Sequence, residues 1–232
     1  MADKPSSPQR PRLLDLYCKA GGAARGYHDI GWEVVGVDIE PQPNYPYEFH
    51  CADALTFPLD GFDAVHASPP CQGYSKYVSS ADSQWVTTRG KNEPRLIAPT
   101  RERIKHLPYI IENVYSARDE LEFPVLLCGV MFGLPIARHR LFESNVPLAP
   151  PPHPKCKGAA RRYSELHGIE YRDMSVTGKG RHTGTSDRWR EFLGVTWPTT
   201  QAELVEMIPP AYTQWIGHQL LAALEVVALS NG

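Results

Sequence analysis

At 232 residues with a formal net charge of −2, the chain can bury one good core with a small second lobe, and its charge balance does not by itself announce a nucleic-acid binder. Composition is ordinary for a globular protein: no run approaches the ~18 apolar residues of a membrane span, and Met1-Ala2-Asp3-Lys4-Pro5 lacks the apolar segment of a secretory signal. The cysteines at 18, 51, 71, 128 and 156 form no Cys-x-x-Cys pair, which argues against a disulfide frame or a cysteine zinc site and for a reducing, cytoplasmic setting.

Residues 1–11 are polar and proline-rich and read as a disordered tail. Arg12 to Tyr17 reads as a first strand, followed by a glycine-bearing turn, Cys18 to Gly26, into a helix. Glycine lets backbone approach a ligand closely, and a strand-to-helix turn at a sheet edge suits a nucleotide-type pocket, although many such turns only connect elements. Trp32 to Asp38 is a second strand ending in an acid. Asp38 lies where it can hydrogen-bond ribose hydroxyls or cap a helix. Tyr47 to Asp53 is a short strand whose Asp53 meets an adenine amino group or caps a turn. Phe62 to His66 is a buried strand that launches Ala67-Ser68-Pro69-Pro70-Cys71-Gln72-Gly73-Tyr74-Ser75 from its C-terminal end, where ligands sit in open α/β sheets. Pro69 and Pro70 stiffen the approach to Cys71, which reads as a nucleophile or as a buried structural cysteine.

Tyr74 to Asn92 is long and polar for a connector, as functional lids are. Pro94 to His106 reads as a basic helix. Leu107 to Val114 is a strand with Glu112 at its end, either catalytic or salt-bridged, since unpaired glutamate is a poor core residue. Phe123 to Cys128 suggests another strand. Arg138-His139-Arg140 opens a further one, with both arginines on one face, where they hold a phosphate or a pyrimidine edge or simply face solvent; His139 faces the other way and receives no role. Pro147 to Pro154 is a proline-rich linker and the best candidate boundary. Residues 151–190 beyond it hold nine Lys/Arg against four Asp/Glu, compatible with phosphate binding or with a solvated surface. Gln201 to Ile208 is a short helix, and Thr213 onward a last helix with one apolar face. The alternation of strands and helices predicts βα units and a mainly parallel sheet.

Pro69-Pro70-Cys71-Gln72 with Ser75 resembles the nucleophile loop of the cytosine-C5 DNA methyltransferases. Asp15-Leu16-Tyr17 with Gly21-Gly22, Glu112-Asn113-Val114 and Arg138-His139-Arg140 resemble that family's other blocks, in the family's order. The resemblance covers about Leu13 to Phe142 and returns near Ile208 to Leu220. It implies a Rossmann-like class I methyltransferase fold: a mainly parallel sheet with helices on both faces, plus a small basic target-recognition lobe. The expected layout is a tail (1–11), a catalytic and cofactor-binding domain (12–146), the lobe (147–198) and C-terminal helices returning to the catalytic domain (199–232).

The implied activity is methyl transfer from S-adenosylmethionine to C5 of cytosine in double-stranded DNA, in a bacterial or phage-infected cell, by an orphan or restriction–modification methylase. Cys71 would add to C6 of a flipped-out base, Glu112 would hold or protonate N3, and Arg138 and Arg140 would steady the base. The cofactor would contact Tyr17, Lys19, Ala20, Gly21, Gly22, Asp38, Ile39, Asp53, Ala54 and Pro70. Ser75, Lys76, Arg89, Lys179 and Arg181 would meet nucleic acid. A monomer without metal is expected, for want of clustered ligands.

The chain departs from the family's pattern at Lys19, Ile136 and His218, the last beside the donor's methionine end. Lys19 could pair with the extra carboxylate of carboxy-S-adenosylmethionine, making the transferred group carboxymethyl, or it meets solvent or the methionine carboxylate. An RNA cytosine-C5 methyltransferase acting on tRNA and a catalytically silent nucleic-acid-binding module are the other readings.

Overall fold

The structure is a computed structural model and describes residues 10–74, 94–156, 158–168 and 185–230. One seven-stranded sheet is built from β1 (Arg12–Leu16), β2 (Glu33–Asp38), β3 (Glu48–Cys51), β4 (Ala64–Ala67), β5 (Tyr109–Asn113), β6 (Val125–Leu127) and β7 (Arg140–Ser144), in the order β3-β2-β1-β4-β5-β7-β6. Neighbours from β3 to β5 pair in parallel, and β7 runs antiparallel to both β5 and β6. The order reverses between β1 and β4, so a crevice opens beyond the C-terminal ends of those strands. Among the described residues the α-helices are α1 (Gly22–Asp29), α2 (Ile97–Ile104), α3 (Ala159–His167), α4 (Ser186–Leu193), α5 (Gln201–Glu206) and α6 (Pro210–Ser230).

The central strands are short, apolar runs because both faces are covered. Alternate residues sort the core into two layers. Leu13, Val34, Ala64, Ile110 and Phe142 pack with Tyr27 of α1, Trp32, and Tyr212, Ile216 and Leu220 of α6. Leu14, Leu16, Val35, Val37, Val65, Ile111 and Leu141 pack with Ile97 and Ile104 of α2. Each large side chain fully buried here stabilises the fold by roughly 1.5–3 kcal/mol before its ordering cost. A Cβ at Gly26 would stand 2.1 Å from the Pro210 carbonyl oxygen, so glycine lets the start of α6 lie against α1. Thr213 Oγ1 then donates to the Ala23 carbonyl at 2.8 Å.

Among the described residues, no α-helix joins β2 to β3 or β3 to β4, so alternation of βα units holds only in part. Pro41, Pro43 and Pro46 occupy the first of these connections, and proline breaks a helix interior. The last helix begins at Pro210 rather than Thr213, since proline is tolerated in a first turn. β7 begins at Arg140, so Arg138 and His139 precede the strand and strand alternation does not place the two arginines on one face.

A third cluster joins Trp189, Phe192 and Leu193 of α4 with Val195, Trp197, Leu204 and Met207, and rests on Ala20 and Ile136. Trp197 Nε1 donates to the Ala20 carbonyl at 3.0 Å. Ile136, one of the departures from the family pattern, is thus a buried packing residue of this cluster. Among the described residues no helix is long and apolar enough to cross a membrane.

Candidate active site

A cavity of about 340 Å³ lies at the switch point, walled by the C-terminal ends of β1, β2, β4 and β5, by Arg140 and by residues of the segment from Glu203 to Ile208. At one end is the proline loop. Ser68 N donates to the Leu16 carbonyl at 3.1 Å, and Asn113 Nδ2 donates to the Pro69 carbonyl at 2.9 Å. These bonds fix the loop to β1 and β5, so Cys71 follows a backbone with little freedom. Beyond it, Tyr74 N donates to the Cys71 carbonyl, and the buried Tyr74 hydroxyl accepts from Ile97 N at 3.0 Å.

Glu112 is buried beside this loop, with Oε1 3.0 Å from Arg140 Nε. Burial pushes its carboxyl above the usual range, opposed by Arg140, Arg138 and a hydrogen bond from Ser68. Oε1 makes no aligned hydrogen bond. A chain of polar groups leads away from Ser68. His66 Nε2 lies 3.1 Å from Ser68 Oγ, and Tyr27 Oη lies 3.0 Å from His66 Nδ1. Burial holds His66 neutral, its pKa pushed down to about 3.

At the other end, Gly21 at φ 83 caps α1 and turns the chain after β1. Tyr17 and Lys19 also carry positive φ, 57 and 44, conformations that cost L residues energy and cluster at ligand sites. Asp38 Oδ2 accepts from Lys19 N at 3.2 Å, and Oδ1 from Glu40 N at 3.1 Å. Lys19 Nζ lies 3.2 Å from Glu40 and 4.0 Å from Asp38. Asp15 is wholly buried; burial, then the charge of Asp38, pushes its carboxyl up. Its Oδ1 lacks a hydrogen-bond partner among the described residues.

Of the residues singled out from sequence, Tyr17, Lys19, Ala20, Gly22, Asp38, Ile39, Pro70, Cys71, Glu112 and Arg140 share this cavity wall. Gly21 shapes the turn behind it. Asp53 and Ala54 are not on the wall, and Asp53 Oδ1 caps a turn by accepting from Leu55 N at 2.8 Å. Arg138 is not on the wall either. It is buried, its Nη2 donates to the Val205 carbonyl, and burial, then Arg140, pushes its guanidinium down to about 9. His218 is exposed on α6 and does not line the cavity, which corrects its placement beside the donor. Ser75, Lys76, Arg89, Lys179 and Arg181, and most of the expected lid, lie outside the described residues.

Sequence reasoning quoted Asp15 and Ser68 within motifs but gave neither a role, and it missed the Glu203 to Ile208 wall. The wall had a signal: Thr200 and Glu203 form a capping box, legible as Thr-x-x-Glu. It also missed a group of metal-type ligands. Cys128, His139, His153 and Cys156 bring their ligand atoms within 4.8 Å of one another, where no metal site was expected and His139 received no role. The signal in the sequence is a mixed pair, His153-Pro154-Lys155-Cys156, rather than Cys-x-x-Cys.

No family model and no curated relative matches the chain. Solved structures do. The EhMeth methyltransferase of Entamoeba histolytica aligns over 93% of this chain and 99% of its own, at 12% identity and TM-score 0.58. The Dnmt2 methyltransferase of S. pombe aligns over 93% and 99%, at 13% identity and TM-score 0.56. An E. coli prophage-encoded protein described as a DNA modification methyltransferase aligns over 60% of this chain, at 16% identity and TM-score 0.42. The chain spans 49% of that protein's length, and at that score the likeness carries no argument. The first two share this chain's fold, a Rossmann-like class I methyltransferase sheet.

Proposed function

We propose that this chain transfers a methyl group from S-adenosylmethionine to C5 of cytosine in duplex DNA. The observation that carries the reading is convergence: Cys71, Glu112 and Arg140 line one end of the cavity and Asp38 and Tyr17 the other. A volume of about 340 Å³ lies within the range of small-molecule sites. The unpartnered Asp15 Oδ1 and the spare lone pairs of Asp38 fit a donor carrying ammonium and hydroxyl groups. Bound there, such a cofactor supplies an electrophilic methyl group.

The remaining steps belong to the chain. Cys71 Sγ, as thiolate, adds to C6, and the ring's electrons move to make C5 nucleophilic. Glu112, whose carboxyl burial pushes up, donates to N3 in its protonated form and offsets the charge that develops there. Arg140 holds Glu112 and the base. After transfer the C5 proton leaves to a base and Cys71 is expelled. The target must leave the helix stack, at a cost of a few kcal/mol. The pairing of Lys19 with Glu40 favours the plain methyl donor over a carboxylated one.

The test is a covalent trap. Duplex DNA containing 5-fluorocytosine is incubated with labelled S-adenosylmethionine and wild-type or Cys71→Ala protein. Fluorine cannot depart as the proton does, so the wild type should form a stable labelled adduct and the variant none. An adduct on tRNA but not on DNA would move the substrate to RNA, and an adduct formed by Cys71→Ala would remove Cys71 from the mechanism.

A further inference from the structure

β6 and β7 pair antiparallel, with Leu127 opposite Arg140. The next residues outward, Cys128 and His139, therefore leave the sheet side by side. Cys128 is buried at the start of a 3-10 turn (Gly129–Phe132). The proline-rich linker comes back over this corner and delivers His153 and Cys156, a pair with two residues between, as zinc-binding pairs often have. Cys156 Sγ lies 3.5 Å from Cys128 Sγ, 3.3 Å from His139 Nε2 and 3.2 Å from His153 Nε2.

A tetrahedral ion with Zn–S of about 2.3 Å and Zn–N of about 2.0 Å sets its ligand atoms roughly 3.4–3.8 Å apart. The three separations at Cys156 fall within a few tenths of an ångström of that range. Two thiols and two imidazoles are a zinc donor set by softness and by geometry. None of the four side chains lines the cavity, and four protein ligands leave no open position for substrate.

We infer that Cys128, His139, His153 and Cys156 bind one zinc ion, a structural site that clamps the linker to the edge of the sheet. The linker needs such a clamp. Prolines at 147, 150, 151, 152 and 154 remove the amide donors that would otherwise tie it down; Ala149 N, bonded to Gln219 Oε1 at 2.9 Å, is one that remains. His139 stands between Arg138 and Arg140, so the ion would also fix the backbone that presents Arg140 to Glu112.

Tag-free protein, purified under reducing conditions and analysed for metal by plasma mass spectrometry, should carry about one zinc per chain. His139→Ala and Cys156→Ser should lose it, and His153→Cys, which offers another zinc ligand, should keep it. Cobalt substitution keeps the test open if the losing variants fold poorly: wild type and His153→Cys should show the intense d–d bands and thiolate charge transfer of a tetrahedral site. A chelator should lower Tm in the wild type and in Cys71→Ala alike, since Cys71 is not among the four ligands. Failure of the wild type to bind zinc or cobalt under reducing conditions would overturn the proposal. So would zinc retained equally by His139→Ala and Cys156→Ser, or a Cys128–Cys156 disulfide in protein alkylated at lysis.

Discussion

Two buried glutamates sit on neighbouring strands and on opposite faces of the sheet, and their surroundings differ in kind. Glu143 on β7, opposite Ile111, receives Arg101 Nε and Nη2 at 2.6 Å each, the Tyr109 hydroxyl at 2.9 Å and Glu122 N at 2.7 Å. Both of its oxygens are satisfied. Glu112 on β5, opposite Phe142, has Arg140 at 3.0 Å, a bond from Ser68 and an oxygen without an aligned donor. A buried carboxylate whose valences are filled holds a fold together. One left short of donors has capacity for a ligand and an unsettled protonation state, which is what catalysis uses.

The sharpest way to break the comparison is to remove each arginine. Arg101→Ala leaves Glu143 charged and buried without its partner, which costs about 3–5 kcal/mol and should lower Tm by on the order of 10 °C, measured by calorimetry. Arg140→Ala should cost less stability, because Glu112 can take a proton instead, and should act mainly on turnover. Equal losses of Tm in the two variants would dissolve the distinction.

The second test replaces Glu112 itself. Glu112→Gln keeps shape but removes the acid, so kcat should fall by roughly 10²–10⁴-fold with Tm held or raised. Its stability should also depend on pH in a defined sense. Burial raises the Glu112 pKa above 4.5, so the folded state binds this proton more tightly than the unfolded state does. The stability this confers is present below the unfolded value and is lost as pH rises through the folded one. Glu112→Gln escapes that loss, so its Tm advantage over wild type should grow as pH climbs from about 4. The difference must be read between the two proteins, because neutral His66 drives wild-type stability the opposite way. Its folded pKa of about 3 lies below the unfolded value, so stability falls as pH drops from about 6.5 toward 3.

What was legible in the sequence follows the same line. The strands around the switch point and the side chains at their ends could be read, because apolar runs and the residues that follow them are local signals. The proline loop fixed Cys71 for the same reason. Arg138 was misplaced because strand periodicity was extended through residues that precede the strand, and the two arginines part company at its first residue. The placement of the Glu203 to Ile208 wall, of His218 and of the Cys128–His139–His153–Cys156 group was harder to read for another reason. The return of the C-terminal helices was expected and the capping box announced one of them, but where they dock is set by contacts between distant segments, of Gly26 with Pro210 and of Trp197 with Ala20, and the four ligands meet only because the linker folds back over the ends of β6 and β7.

The smallest expected effect concerns what lies behind Glu112. Tyr27, whose pKa burial pushes up, stays a donor to His66 Nδ1. Neutral His66 then carries its proton on Nε2 and donates to Ser68 Oγ, which frees the Ser68 hydroxyl to donate to Glu112. A hydrogen bond to the charged carboxylate favours ionisation. Ser68→Ala should therefore raise the Glu112 pKa further, by about one unit if the bond contributes ~1.5 kcal/mol. The protonated form is the one that serves N3, so the alkaline fall of kcat/KM due to Glu112 should move to higher pH by that amount. Ser68→Ala also orphans the His66 N–H at roughly 1–3 kcal/mol, but lost stability lowers Tm without displacing a pH profile. A profile that stays in place while Tm falls would make Ser68 a support for His66 alone, and Glu112 would then owe its protonation state to burial and the two arginines.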